Sequence, residues 1–296
     1  MTAQQPLIQT QQKIQEMIAE HRPLEEVLAE VTRFVEQMLP DALVSVMRFD
    51  ADSNTLSLVP SYRFSARFTQ AMQDVPVGPD VGACGSAAYY LAMAVTQDIR
   101  MDSRWEGYRS VALDEGLRAA WSVPIMSSEG QALLGTFATY YGYSNSPSET
   151  DVFNLRQAAG LAALAIVRDQ DLRRYRDLTA RYQSLYEHHP DGVYELDLEG
   201  RLLRGNKALE SITGYTEAEY VGRFFNDFVD GAYQALTQRC FEQARVGGAP
   251  THEARGLYPN GGIYDLEVTN FPVRVEGEIV GVFGICRDGG RWKKIR

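Results

Sequence analysis

Apolar residues recur every three or four positions through the first forty. Leu7, Ile14 and Ile18 form one set, and Leu24, Val27, Val31, Phe34 and Met38 form a second that stops at Pro40. This spacing predicts two helices. The rhythm then changes to β-rich runs over Leu43 to Phe49 and Thr55 to Pro60, separated by the turn-forming cluster DADSN, which predicts a hairpin. A helix over 65–73 and a glycine-rich bend from Val77 to Gly85 follow, and the stretches ending in SVPI and GTFATYY read as strands. Ser146-Pro147-Ser148-Glu149 marks a helix start, and nothing breaks that helix before Pro190.

A helix of about 40 residues spans ~60 Å at 1.5 Å per residue, more than a domain core requires. It is expected to act as a connector. Its first half, Phe153 to Val167, is apolar on broad faces, with Phe153, Leu161 and Leu164 expected to be buried on the first sheet. Residues 169–189 thin to a narrow seam of Tyr175, Leu178, Tyr182 and Leu185 flanked by Arg and Asp. Such a seam suits a partner helix, and the simplest partner is the same helix of a second subunit in a parallel homodimer, assisted by the N-terminal helices.

Beyond Pro190 the pattern restarts with strand, tight turn, strand and two short helices. A helix over about 232–246 comes next, and then three strands (252–257, 263–272 and 279–287) joined by PNGG and EGE turns. The expected fold is α+β, with two domains each built on a central antiparallel sheet flanked by helices. The expected boundaries are 1–168 for the first domain with its N-terminal helices, 169–189 for the connector continuous with helix 149–168, 190–288 for the second domain, and 289–296 for a basic tail. The tail draws on Arg291, Lys293, Lys294 and Arg296 beside Arg287.

Composition narrows the function. At 296 residues the chain suits two cores, and 45% apolar with 23% charged residues is ordinary for a globular protein. No run approaches the ~20 apolar residues of a membrane helix. MTAQQPLIQTQQKIQ lacks the basic and apolar regions of a secretory signal, so a cytoplasmic location is expected. A net charge of −10 disfavours nucleic acid and anionic lipid as main partners. Cys84, Cys240 and Cys286 are few and far apart, without metal-ligand or disulfide spacing, and read as small buried hydrophobes. There is no GxSxG, P-loop, HExxH or catalytic Cys-His pair, so no enzyme is expected.

The run VGACGSAAYYL, then Asp98-Ile99, Asp102, Arg104-Trp105, Tyr108-Arg109, Gly116-Leu117-Arg118, Trp121-Ser122, Pro124-Ile125 and Gly135-Thr136-Phe137, resembles the GAF sensory domain found upstream of bacterial diguanylate cyclases and histidine kinases. A second resemblance, to the PAS domain, rests on Pro190-Asp191-Gly192, Asn206-Lys207-Ala208, Gly214-Tyr215, Glu219, Gly222, Pro259-Asn260-Gly261 and Gly281 to Asp288. These resemblances imply a sensory module that passes a ligand- or redox-driven change through a dimeric connector to an output domain or partner. A ligand-free dimerisation scaffold is the alternative. A small GAF-fold enzyme such as a methionine sulfoxide reductase is a further one, although Cys84 has no local resolving thiol.

The GAF resemblance implies a pocket involving Cys84, Tyr89, Trp105, Tyr108, Arg109, Arg118, Trp121 and Tyr140, with Tyr89, Trp105, Tyr108 and Trp121 on one face. Ion pairs of Arg104, Arg109 and Arg118 with Asp98, Asp102 and Asp114, together with core packing, are the structural alternative. The PAS resemblance implies a pocket lined by Tyr194, Leu209, Ile212, Phe228, Leu236 and Cys240, with Asn270 facing inward. No cofactor or metal is expected. No histidine lies between His21 and His188 to accompany a bilin-bearing Cys84, and the cyclic-nucleotide pattern Asn-Lys-Phe-Asp-Glu is missing. The helix over 232–246 offers no heme-ligating histidine, and VGRFFNDFV stands where a flavin-adduct domain carries its cysteine motif. His188 and His189 read as a cap on the connector.

Overall fold

A computed structural model describes residues 4–289 except Pro40, Tyr62 and Glu129, and for residues 4–8 it describes the backbone alone. The expected basic tail from Arg291 onward and the side chain of Leu7 lie outside the described residues. The chain divides into two compact units, Met1–Tyr175 and Arg176–Arg296.

The first unit opens with α1 (Gln4–Ala19) and α2 (Leu24–Met38), then β1 (Leu43–Asp50) and β2 (Thr55–Leu58). The Asp50 carboxylate accepts the Asp52 amide at 2.9 Å in the turn between these strands, and Asn54 adopts a positive φ of 54° there, as the DADSN cluster predicts. α3 (Ala66–Ala71), β3 (Val75–Pro76), α4 (Gly82–Tyr90), β4 (Ala94–Thr96), α5 (Arg109–Asp114), β5 (Ala119–Met126) and β6 (Leu133–Tyr141) complete it, and α6 (Glu149–Glu187) leads out. The antiparallel sheet runs β3-β2-β1-β6-β5-β4.

Both faces of this sheet are covered. On one face, Val44, Val46, Trp121, Val123, Ile125, Phe137 and Tyr141 pack against α1, α2 and the first turns of α6. On the other, Met47, Ala120, Ala138 and Tyr140 meet α3, α4, Trp105 and α5. The first half of α6 buries Leu155, Ala158, Leu161, Ala162 and Ile166. Phe153 and Leu164 correct the expectation of burial. They are 61% and 52% exposed, because they lie on the flank of α6 turned away from the sheet.

The second unit carries β7 (Gly192–Leu196), β8 (Leu202–Gly205), α7 (Lys207–Thr213), α8 (Glu217–Tyr220), α9 (Gly231–Arg245), β9 (Thr251–Leu257), β10 (Ile263–Val275) and β11 (Glu278–Asp288). Its antiparallel sheet runs β8-β7-β11-β10-β9. Glu276 and Gly277, with φ of 51° and 88°, close the tight turn between β10 and β11 in the sense that matches strand twist.

Asn206 ties this unit together. It has no exposed surface, and its Oδ1 accepts the amides of Val193 at 2.9 Å and Leu209 at 3.0 Å. Its Nδ2 donates to the carbonyls of Tyr186 at 2.9 Å and Asp191 at 3.0 Å. The cap of α7, the start of β7 and the last turn of α6 thus share one side chain. Asn206→Ala leaves several buried backbone groups without partners, each costing about 1–3 kcal/mol. Chemical denaturation is expected to show the second unit's transition destabilised by about 3 kcal/mol, and a change within experimental error would contradict this role.

Candidate functional site

Small residues let α4 lie close over the first sheet. Gly82 opens α4 at φ of +50°, a left-handed conformation that favours glycine, beside the Trp105 ring. Trp105 Nε1 donates to Thr96 Oγ1 at 2.9 Å, and that hydroxyl donates to Asp102 Oδ2 at 2.8 Å. Arg104 donates through Nε to Asp102 Oδ1 at 3.0 Å and through Nη2 to the Val95 carbonyl at 2.7 Å. Burial alone would raise the Asp102 pKa, but hydrogen bonds from Arg104 and Thr96 outweigh it and hold the carboxyl below its ordinary value. Arg109 donates to the carbonyls of Ile99 at 3.2 Å and Asp102 at 2.9 Å. The Arg104 and Trp105 side chains therefore fasten the 96–109 loop to the edge strand β4, and Arg109 braces the loop from within. An open groove of about 510 Å³ remains outside it, lined by Asp80, Val81, Ser103, Arg104, Glu106 and Tyr108 among others.

Inside the roof, Tyr140 is fully buried. Its hydroxyl accepts from Ser45 Oγ at 3.3 Å and lies 3.7 Å from Cys84 Sγ. Burial pushes its pKa well up. Phe64 and Phe68 stack at 4.9 Å and meet the Tyr140 ring edge-on at 5.8 and 6.1 Å, so aromatic rings fill this interior.

The eight residues expected to line one pocket are therefore dispersed. Cys84, Trp105 and Tyr140 are buried together in the roof core, and half-buried Tyr108 packs against that core while lining the groove. Tyr89 is exposed and pairs edge-on with Tyr90. Trp121 corrects the expectation most clearly. It lies on the opposite face of the sheet, among the residues packed on α1, α2 and α6, because β5 alternates and Ala120 takes the roof side. Arg118 is half-buried, and its side chain makes no hydrogen bond or ion pair among the described residues.

In the second unit two tyrosines lie flat across glycines of the neighbouring strand. Tyr194 pairs in register with Gly284 and Tyr264 with Gly256, and a Cβ at either glycine would fall 2.0 or 2.1 Å from the facing ring. Tyr194 Oη donates to Asn270 Oδ1 at 3.3 Å, and Asn270 is buried as expected. Leu209 belongs to this core and Phe228 packs on it, edge-on to Tyr215 at 4.9 Å. Cys240 is buried nearby on α9, whereas Ile212 and Leu236 are half-buried and lie outside the core cluster. Sequence reasoning missed Tyr264, because its pairing with Gly256 depends on strand register. It also missed His252. That imidazole is 8% exposed, neither nitrogen has a hydrogen-bond partner among the described residues, and burial pushes its pKa down. No cluster of three or more His, Cys, Asp or Glu able to hold a metal occurs among the described residues.

Residues 21–167 match the GAF domain family and residues 186–291 the PAS fold. The chain is a GAF domain followed by a PAS domain. It is 25% identical over 289 residues to the methyl sulfide methyltransferase-associated sensor of Methanosarcina acetivorans, covering 97% of this chain and 29% of that protein. It is 30% identical over 117 residues to the signaling protein YkoW of Bacillus subtilis, covering 39% of this chain and 14% of that protein. The chain thus spans less than a third of the length of these relatives. A solved PAS domain from Colwellia psychrerythraea aligns at 25% identity with a TM-score of 0.35, covering 38% of this chain and 96% of that one. The GAF–PAS chain is accordingly a signal-sensing module, and no helix among its described residues is long and apolar enough to cross a membrane.

The buried imidazole gives the PAS unit a pH dependence. His252 has a folded pKa below its ordinary 6.5, so as pH falls through 6.5 the unfolded chain takes up a proton first. Its contribution is complete above pH 6.5 and is lost below it, by at most about 1.4 kcal/mol per pH unit. Denaturation of the wild type between pH 7.5 and 5.5 is expected to show this loss in the PAS transition, and His252→Phe should flatten it. Equal slopes for the two proteins would contradict the assignment.

Proposed function

We propose that the chain is the sensing part of a longer signalling protein. In this reading, a ligand or redox change in the GAF roof alters the packing of α6, which acts as one half of a parallel two-helix seam. The change then passes through the PAS domain to an output domain or partner, such as a diguanylate cyclase or a histidine kinase. The observation that carries this reading is the surface of α6. Tyr175 and Leu178 are each 69% exposed and Leu185 is 70% exposed, spaced three and then seven residues apart on a helix whose one glycine is Gly160. Exposed apolar residues in a regular row are unusual unless a partner covers them.

The same flank continues toward the GAF core through Leu164, beside an apolar groove of about 730 Å³ between α1 and α6 that includes Ile18, Gly160 and Leu172. Tyr182 plays a different part from its seam neighbours. Its hydroxyl accepts from Arg204 Nη2 at 2.9 Å, and its ring lies 5.5 Å below that guanidinium, within the PAS unit. The names of the relatives, a sensor and a signaling protein, support the sensing half of this reading. The scaffold alternative keeps the seam and drops the stimulus. The reductase alternative finds only Cys84 in the GAF unit, buried against Tyr140.

Covering three large side chains on each of two helices contributes several kcal/mol at about 25 cal/mol per Å², part of it offset by the cost of association. Light scattering at tens of micromolar is expected to give a dimer for the wild type. The double variant Leu178→Asp, Leu185→Asp should be a monomer with an unchanged circular dichroism spectrum. A monomeric wild type, or a variant that still dimerises, would overturn the seam.

A further inference from the structure

Between α2 and the sheet edge lies a third cavity, of about 290 Å³, distinct from both the groove beside Trp105 and the apolar groove along α6. It exists because β2 is short. Pairing between β1 and β2 covers only Met47 to Asp50, and one further bond joins the Val59 amide to the Val46 carbonyl at 2.9 Å. The chain then diverges at Pro60, leaving Val44 and Ser45 at an edge that β2 does not reach. Thr32 and Glu36 of α2 face this notch from one side, and Val59, Pro60 and Arg63 from the other.

The chemistry of the lining is uneven. Leu28, Val44, Val46 and Val59 supply an apolar wall. Glu36 Oε1 is withdrawn from solvent without a hydrogen-bond partner among the described residues, and its nearest opposite charge is Arg63 Nε at 3.6 Å, beyond hydrogen-bond reach. A carboxylate oxygen out of water and lacking a donor is a costly arrangement that a native structure ordinarily resolves. Arg63 is half-exposed and free to turn, so the two groups can open to admit a molecule carrying the complementary pair.

We propose that this notch binds a small zwitterion with the chemistry of a free aliphatic amino acid. Its ammonium donates to Glu36, its carboxylate accepts from Arg63, and its short apolar body rests on Val44, Val46 and Val59. The volume sits at the lower limit of small-molecule sites, which suits a body of a few carbons and excludes a peptide strand. Ser45 stands on the cavity wall while its hydroxyl donates to Tyr140 at 3.3 Å, and Tyr140 in turn lies 3.7 Å from Cys84 on α4. Ser45 is thus the residue of β1 that the notch and the roof core share.

The test is titration calorimetry of the whole chain with L-alanine, L-valine and L-leucine, with isobutylamine and isovalerate as single-charge controls. At least one of the amino acids is expected to bind. The controls should bind about tenfold more weakly or worse, since each loses one charge-assisted contact. Glu36→Gln and Arg63→Gln should each weaken the amino acid by a similar factor. Thr32→Met fills the notch without removing a charge and should abolish binding even if either charge variant folds poorly. No heat with any amino acid at 10 mM would overturn the proposal, as would equal binding of the amine control or undiminished binding in Thr32→Met.

Discussion

Asn206 uses both ends of one carboxamide where no water reaches it. The oxygen takes two backbone amides and the nitrogen gives to the carbonyls of Tyr186 and Asp191. A helix end normally leaves its last carbonyls to solvent and frays. Here a carbonyl of the last turn of α6 is bonded to a side chain whose other partners start β7 and cap α7. Asp191 adds a second tie, since Arg287 of β11 donates to its carboxylate at 2.7 Å. His188 Nδ1 donates to the Ser184 carbonyl at 2.9 Å, using another group of the same turn. In the proposed relay, a displacement of α6 arrives in the PAS core because these bonds leave it no loose final turn in which to be absorbed.

The GAF unit is organised differently. Many polar residues of its roof are engaged with one another or with backbone, as in the chain from Trp105 through Thr96 to Asp102 and Arg104. Its interior is closed by Phe64, Phe68 and Tyr140. Its open spaces lie at the margin, in the groove outside Trp105 and the notch beside β1. Ser45, Tyr140 and Cys84 make a small polar contact within the roof face of the sheet.

Much of this was legible in the sequence. The helical spacing of α2, the DADSN and EGE turns, the unbroken run to Pro190 and the motif spacings all report local physics, which periodicity and turn chemistry express directly. Side-chain facing in the first sheet was not legible. β5 and β6 are buried on both sides, so alternation of apolar and polar residues cannot tell one face from the other, and Trp121 was placed with Trp105 when the sheet separates them. Phe153 and Leu164 failed for a related reason. An apolar residue on a helix reads as core whether it faces the sheet or an uncovered flank. The Tyr194–Gly284 and Tyr264–Gly256 pairs needed strand register, which only the folded sheet supplies.

The central claim is that the last turn of α6 and the PAS core form one cooperative unit joined through Asn206. Native-state hydrogen exchange tests it most directly, by comparing the Leu185 to His188 amides with those of Val193 and Val282 in the PAS sheet. The account predicts matching opening free energies in the wild type and a selective collapse of protection in the helix turn on Asn206→Ala. A wild-type final turn that exchanges freely while the sheet stays protected would contradict it.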